Sequence, residues 1–433
     1  MVGDGGPLRV ALTALGCKVN YAEMADLAGR LAAGGCEVVL DDQPADVRVV
    51  NSCTVTTQAD ATTRQRLRQL RRADPAAHIV LTGCSVDGNP ATYLLRDRGG
   101  GRVLPHGIDA VFSNAEKEGV AEHVLGLAAQ RPSREFITAP PRRSRAFIKV
   151  QDGCDHRCTY CSVWRARGPS GSLPVAGVLE RVHAALDAGQ AEVVLTGVDL
   201  GAYGRGEGTT LAGLVEALLD AVGQRARLRL SSVNSNDVSA DLIALNSHPQ
   251  LCSHWHMPLQ SGSDAILRGM HRGYRRRQYL RVCAALRALD PDTEFTTDVM
   301  VGFPGETDDD HAATIALIEE TGMLAVHAFR YSVRPGTPAA DLGGRVSDHL
   351  ARRRSAEVRR AAALTGRARR ERAVGRRERV VWDRLQDGVA RGLTSTYLQT
   401  LTEVTPATRP GAGSMVELTA VEGDSLRATL VDS

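Results

Sequence analysis

At 433 residues the chain is long for one ordinary domain, and two or three are expected. Hydrophobic content of 43% and charged content of 24% are those of a globular chain, and the absence of an apolar run of about 18 residues excludes a helical membrane span. Nine cysteines, with no signal segment in Met1-Val2-Gly3-Asp4-Gly5-Gly6-Pro7, point to the cytoplasm, where thiols are metal ligands or core residues rather than disulfides, while a net charge of +3 is too small to establish a nucleic-acid partner.

Residues 8–130 alternate between strand and helix. Segments 8–12, 47–50 and 79–81 are short β-branched runs, and 23–33 and 62–72 carry helical periodicity. This alternation predicts an open parallel sheet with covering helices in a first domain, residues 6–130. A Pro/Arg-rich stretch, 131–145, reads as a linker. The alternation resumes from 146 to about 336, with strands expected at 147–150, 192–195, 228–230, 295–301 and 325–331. Helices are expected at 178–188, 211–221 and 279–289. That pattern predicts a second α/β unit, a partial or full (βα) barrel in a domain spanning 140–370, whose site lies at the strand ends. Residues 351–379 carry twelve arginines against three acids. The stretch is either a solvated helix or an electrostatic footprint for a polyanion. Short strands at 380–382, 397–401, 415–419 and 426–430 then predict a small all-β barrel in a domain of 371–433.

Cys154, Cys158 and Cys161 form a C-x₃-C-x₂-C run just past the first strand of the second unit. Three thiolates at this spacing suit three irons of a cubane [4Fe–4S] cluster. Complete ligation takes four cysteines, so one iron is left open for a chelating ligand. Zinc competes, with His156 completing a Cys₃His set, but the spacing departs from paired C-x₂-C units; His156 otherwise reads as a solvated loop residue. Three further cysteines each follow a strand of the first domain, in Leu15-Gly16-Cys17-Lys18, Asn51-Ser52-Cys53-Thr54 and Thr82-Gly83-Cys84-Ser85. Ligands of open parallel sheets bind beyond the carboxyl ends of the strands, so these three converge on one point and suggest a second metal cluster. Any one of them alone would read as a small buried hydrophobe. Cys36, Cys252 and Cys283 lack such settings and read as core residues.

The first run, with Tyr160 before its last cysteine, resembles the signature of the radical SAM superfamily. Together with Leu15-Gly16-Cys17-Lys18-Val19-Asn20 and Asn51-Ser52-Cys53-Thr54-Val55-Thr56, the chain resembles the methylthiotransferase family of radical SAM enzymes over nearly its whole length. Its closest likeness is to the branch acting on N6-threonylcarbamoyladenosine beside the tRNA anticodon. Leu195-Thr196-Gly197-Val198-Asp199-Leu200-Gly201, Pro258-Leu259-Gln260-Ser261-Gly262-Ser263-Asp264 and Thr297-Asp298-Val299-Met300-Val301-Gly302-Phe303-Pro304-Gly305-Glu306-Thr307 resemble family segments near the SAM and substrate cavity. The last module, with Gly392-Leu393-Thr394 and Tyr397, resembles the tRNA-binding TRAM domain. Three places depart from the family pattern: Trp164-Arg165, Arg167-Gly168-Pro169-Ser170-Gly171-Ser172, and Asn234 after Ser231-Ser232-Val233.

The resemblance implies two [4Fe–4S] clusters, one on Cys154, Cys158 and Cys161 and one on Cys17, Cys53 and Cys84. It implies SAM contacts at Tyr160, Gly197, Ser232, Asn234, Gln260, Asp298 and Gly302, and no catalytic side chain beyond the cluster ligands. SAM on the open iron is cleaved to a 5′-deoxyadenosyl radical, the second cluster supplies or holds sulfur, and a second SAM gives the methyl group. The cofactors thus carry the hard chemistry. Implied partners are the tRNA anticodon stem-loop, a reductant such as flavodoxin or ferredoxin, and a sulfur donor, with no membrane. Two other readings remain: the same methylthiolation on a peptide or small molecule, and a metal-containing RNA-binding protein without activity.

Overall fold

A computed structural model describes residues 6–96, 102–129 and 144–431. The expected linker at 131–145 lies outside the described residues except for its last two positions, as does most of Met1–Pro7. The described chain divides into two compact units. The first holds residues 6–96, 102–129, 153–156 and 161–169, and the second holds 144–152, 157–160 and 170–431. Among the described residues no helix is long and apolar enough to cross a membrane.

The β-branched runs of the first unit form a five-stranded, all-parallel sheet. Its order is Glu37–Val39, Arg9–Ala14, Val47–Ser52, His78–Gly83, Ala110–Phe112. Successive side chains of a strand point to opposite faces, and both faces here are apolar. Val47, Val49 and Val80 pack with Leu27 and Leu31 of helix Lys18–Ala33 and Val124 of helix Gly119–Ala129. Val50, Ile79 and Leu81 pack on the other face with Leu67 and Leu70 of helix Thr57–Ala73. That helix begins where the Thr56 hydroxyl accepts a hydrogen bond from Ala59 N at 3.1 Å, satisfying an N-terminal donor. The three strands read from sequence form the sheet centre; the two three-residue edge strands are additional.

In the second unit six parallel strands follow in chain order: Ala146–Lys149, Glu192–Thr196, Arg227–Leu230, His254–His256, Glu294–Val301 and Ala325–Arg330. Two halves of three strands are joined by the pairs Leu228–Leu251 and Ser232–His256. Among the described residues no pairing returns the last strand to the first, so the barrel is partial. Helices including Val175–Asp187, Leu211–Val222 and Arg276–Leu289 cover it, and their apolar faces share one large core with the strands.

The chain ends in a closed five-stranded barrel, ordered Arg377–Gln386, Val389–Thr394, Gln399–Glu403, Ser425–Leu430, Gly413–Glu422. It is filled by Val380, Trp382, Leu398, Val416, Leu418 and Leu426. Buried charge ties it to the amino ends of the parallel strands. Glu192, fully buried, accepts from Arg227 Nε at 2.6 Å and Arg229 Nε at 2.8 Å. Those arginines donate onward to the carbonyls of Arg379, Leu393, Thr394 and Ser395. The His254 ring stacks on Tyr397 with centroids 4.1 Å apart.

The Arg-rich stretch forms the helix Asp348–Ala373 and runs into the first strand of this barrel. It is not uniformly a free basic face. Arg354 is buried against Glu306 at 2.7 Å, Arg369 meets Glu294 at 2.8 Å, and Arg370 meets Asp424 at 2.9 Å. Arg352, Arg353, Arg359, Arg360, Arg367 and Arg372 are exposed.

Candidate metal centres and substrate cavity

In the first unit, the three strand-end cysteines are set by sharp chain reversals. Cys17 precedes helix Lys18–Ala33, Cys53 follows Ser52, and Cys84 opens the short helix Cys84–Gly88. Gly16 has φ +93°, and a Cβ on it would lie 2.5 Å from the Cys53 sulfur. Only glycine allows that approach. Cys53 and Cys84 are each 6% exposed, whereas Cys17 keeps its edge open. Burial pushes the Cys53 thiol up to about 11, and the neighbouring Cys17 and Cys84 add to the rise despite the Val55 amide. Crowding by protein atoms also raises Cys17, against the pull of Arg167. Left bare, the Cys17 and Cys53 thiols keep their protons. A metal group that takes them as thiolates releases those protons on binding.

A buried polar network backs this trio. The Arg167 side chain is 2% exposed and its Nε lies 3.1 Å from Cys84 Sγ. Its other nitrogens donate to Glu23 Oε1 at 2.7 Å and Asn20 Oδ1 at 2.9 Å. Glu23 also receives Lys117 Nζ at 2.6 Å and Asn51 Nδ2 at 2.9 Å. Three cysteines gathered beyond strand ends, with a cation at one sulfur, suit a thiolate-ligated group carrying negative charge. In the sequence Arg167 stands only at the start of a departing stretch and Asn20 only at the end of the Cys17 motif, and no local pattern marks Glu23 or Lys117.

The cysteines of the C-x₃-C-x₂-C run are held separately in the two units. In the first, Gly153 has φ +71° and a Cβ there would strike the Pro169 carbonyl, while Cys154 N donates to Gly168 O at 3.1 Å. Cys161 Sγ accepts from Val163 N at 3.4 Å. In the second, Cys158 is 6% exposed and faces Arg272 Nη1 at 3.3 Å. Thr159 N bonds Met270 O, and Tyr160 packs on Ile266, Met270 and Phe303. Arg272 and the Val163 amide donate to the Cys158 and Cys161 sulfurs, and hydrogen-bonded cysteine sulfurs are the donors an iron–sulfur group takes. His156, read as solvated, is half-buried.

Four of the seven expected SAM contacts gather at the carboxyl ends of the second unit's strands. Asn234 Nδ2 donates to Asp199 Oδ1 at 3.1 Å, and Asn234 Oδ1 accepts from Arg272, linking it to Cys158. Ser232 pairs through its backbone with His256. Gln260 takes φ +64°, and its N donates to Asp298 O at 2.8 Å. Asp298 Oδ2 lies 3.4 Å from His256 Nε2, and His327 completes a polar group whose ligand atoms fall within 4.8 Å. Gly197 sits against Gln151, where a Cβ would be 2.8 Å from Oε1. Gly302 faces the long helix instead, with a Cβ 2.9 Å from Ala351 Cβ, and its N donates to Glu306 at 2.7 Å. The sequence reading missed Arg272, His256 and His327. Strand alternation could have placed His256 and His327 beside Asp298, since Asp298 pairs with His327 in register.

Cys36, Cys252 and Cys283 are buried at 0%, 2% and 4% exposure.

Residues 148–318 match the radical SAM superfamily and residues 9–99 match "Uncharacterized protein family UPF0004". The threonylcarbamoyladenosine tRNA methylthiotransferase MtaB of Thermotoga maritima is 35% identical over 405 residues, 90% of each chain. The tRNA-2-methylthio-N(6)-dimethylallyladenosine synthase of Frankia alni is 34% identical over 342 residues, 76% of this chain and 68% of that one. A solved structure of the radical S-adenosylmethionine methyltransferase TsrM from Kitasatospora setae, with cobalamin and a [4Fe-4S] cluster bound, shares the fold at TM-score 0.56. It is 15% identical and the match covers 77% of each chain. Near-full-length identity at that level, over a partial parallel barrel with its cysteine run beyond the first strand, decides the assignment: the chain belongs to the radical SAM tRNA methylthiotransferase family and is a methylthiotransferase.

Proposed function

We propose that this enzyme replaces a C–H with C–SCH₃ on N6-threonylcarbamoyladenosine beside the tRNA anticodon, in the cytoplasm. Cys154, Cys158 and Cys161 hold one [4Fe–4S] cluster and Cys17, Cys53 and Cys84 hold a second. When bound, the clusters and two SAM molecules supply the hydrogen-abstracting radical, the sulfur and the methyl group. The protein's own residues do the holding. Arg272 and Val163 N donate to the sulfurs of Cys158 and Cys161, and Arg167 donates to that of Cys84. Asn234, Gln260 and Asp298, with Tyr160, Gly197 and Ser232, form the SAM-facing set, while Gly302 holds the turn after its strand against helix Asp348–Ala373. Residues 6–130 serve as the cluster-binding domain, 140–370 as the radical SAM domain and 371–433 as a TRAM-like module. That module grips tRNA phosphates together with the exposed arginines of helix Asp348–Ala373. A flavodoxin- or ferredoxin-like reductant and a sulfur donor complete the system.

The observation that carries the two-cluster reading is the buried guanidinium of Arg167 directed at a sulfur of the strand-end trio. The adenosine substrate is supported by relatives so named, 32–36% identical to this chain. The test is gain of function in a host lacking every methylthiotransferase, with its tRNA digested and read by mass spectrometry. The 2-methylthio derivative of N6-threonylcarbamoyladenosine is expected with the wild type. It is lost with Cys154→Ala, which also abolishes SAM cleavage, and with Cys17→Ala, which spares cleavage. Methylthiolation of dimethylallyladenosine alone overturns the substrate; equal loss of SAM cleavage in both variants overturns the division of labour.

A further inference from the structure

We infer that Arg167 is a positioning residue for the sulfur-donating centre: its guanidinium fixes Cys84 and sets the reduction potential of the group held by Cys17, Cys53 and Cys84. The inference rests on the reading that those cysteines carry a second cluster.

The side chain is built for a fixed direction. Glu23 takes Nη1 at 2.7 Å and Asn20 takes Nη2 at 2.9 Å, so the remaining Nε–H is aimed at Cys84 Sγ at 3.1 Å. A planar fork held at two corners cannot swing away, which an ammonium on a flexible stem could do. Glu23, with a side chain 5% exposed, is itself anchored by Lys117 and Asn51. The helix carrying the arginine, Val163–Arg167, is also pinned from behind. Asn114 Nδ2 donates both to Ala166 O at 2.9 Å and to Asp87 Oδ2 at 2.7 Å, joining this helix to Cys84–Gly88. The chain leaving Cys161 is therefore locked onto the Cys84 turn within a few residues.

Hydrogen bonds to ligating sulfurs and local charge are among the levers that set iron–sulfur potentials. A buried cation at a ligand sulfur favours the reduced, more negative cluster, in a setting where charge is weakly screened. Removing the Arg167 charge lowers the potential. Removing the Glu23 charge, which partly neutralises that cation, raises it. A residue that only held the fold would not give shifts of opposite sign.

The experiment uses full-length protein carrying Cys154→Ala, Cys158→Ala and Cys161→Ala, so that one cluster remains, in an anaerobic redox titration followed by electron paramagnetic resonance. Arg167→Gln is expected to cut the reduced-to-oxidised ratio at fixed potential about tenfold, about 59 mV for a one-electron couple. Arg167→Lys is expected to fall between it and the parent, and Glu23→Gln to move the other way. An unchanged potential in Arg167→Gln at full iron and sulfide content overturns the inference. If that variant loads no iron, Glu23→Gln decides, and no rise overturns the inference. A parent without iron or sulfide overturns the two-cluster reading itself.

Discussion

Gly83 occupies φ +100° immediately before Cys84, and a Cβ there would lie 2.4 Å from Asn51 Oδ1 and 2.5 Å from Ser52 O. Neither neighbour can yield cheaply, because Ser52 O is backbone and Asn51 is buried. Gly83→Ala therefore forces the Cys84 turn to move. Its iron content after anaerobic reconstitution is expected to fall from about eight toward about four per chain, with SAM cleavage retained; full iron loading would contradict this geometry. The cysteines of both trios were legible in the sequence because strand–Gly–Cys and C-x₃-C-x₂-C are local patterns. Arg167 was not, because its partner Glu23 lies 144 positions away and only the fold joins them. Arg272 was hidden for the same reason, standing 114 positions from Cys158.

At the scale of elements, the amino ends of the parallel strands form an ionic joint. Burial by itself would raise the Glu192 carboxyl, but Arg227, Arg229 and Arg145 outweigh it and hold the group far below the usual carboxylate range. The unfolded chain then takes up this proton first as pH falls. The stabilisation is complete above the ordinary carboxylate pKa of about 4.5 and drains away as pH drops through and below it. Glu192→Gln leaves two buried arginines without their anion and is expected to cost about 3–5 kcal/mol near neutrality. In urea melts, the gap between wild type and variant should narrow toward acid pH; a pH-independent gap would argue against the joint. Strands His254–His256 and Val389–Thr394 escaped sequence reading for physical reasons. The first is His-Trp-His, whose polar ends are buried against Thr296 and Tyr397 rather than solvated. The second contains Gly392, where a Cβ would strike Val380 and the Val381 carbonyl, so the strand keeps a residue that strand propensity disfavours.

On the scale of the whole molecule, charge counted along the sequence misleads. Segment 351–379 looks unbalanced, yet Glu306, Glu294 and Asp424 reach its arginines from elsewhere in the fold. What remains for a polyanion is the exposed subset. Arg360→Ser with Arg372→Ser is expected to weaken tRNA binding at every salt concentration. It should also flatten the slope of log affinity against log salt by roughly 0.7–0.9 for each phosphate no longer neutralised. An unchanged slope would place the tRNA elsewhere.

The first unit is closed by residues 153–156 and 161–169, which the chain delivers only after it has begun the second unit. At about 5–20 residues per second of synthesis, Glu23 waits about 7–29 seconds for Arg167, 144 positions later, to be made. During that interval Cys17, Cys53 and Cys84 stand without the Arg167 guanidinium beside Cys84, so on the proposed two-cluster reading the complete binding site is available only after that stretch has been made. A ribosome paused between the two units would leave a thiol-rich intermediate open to oxidation or to the wrong metal.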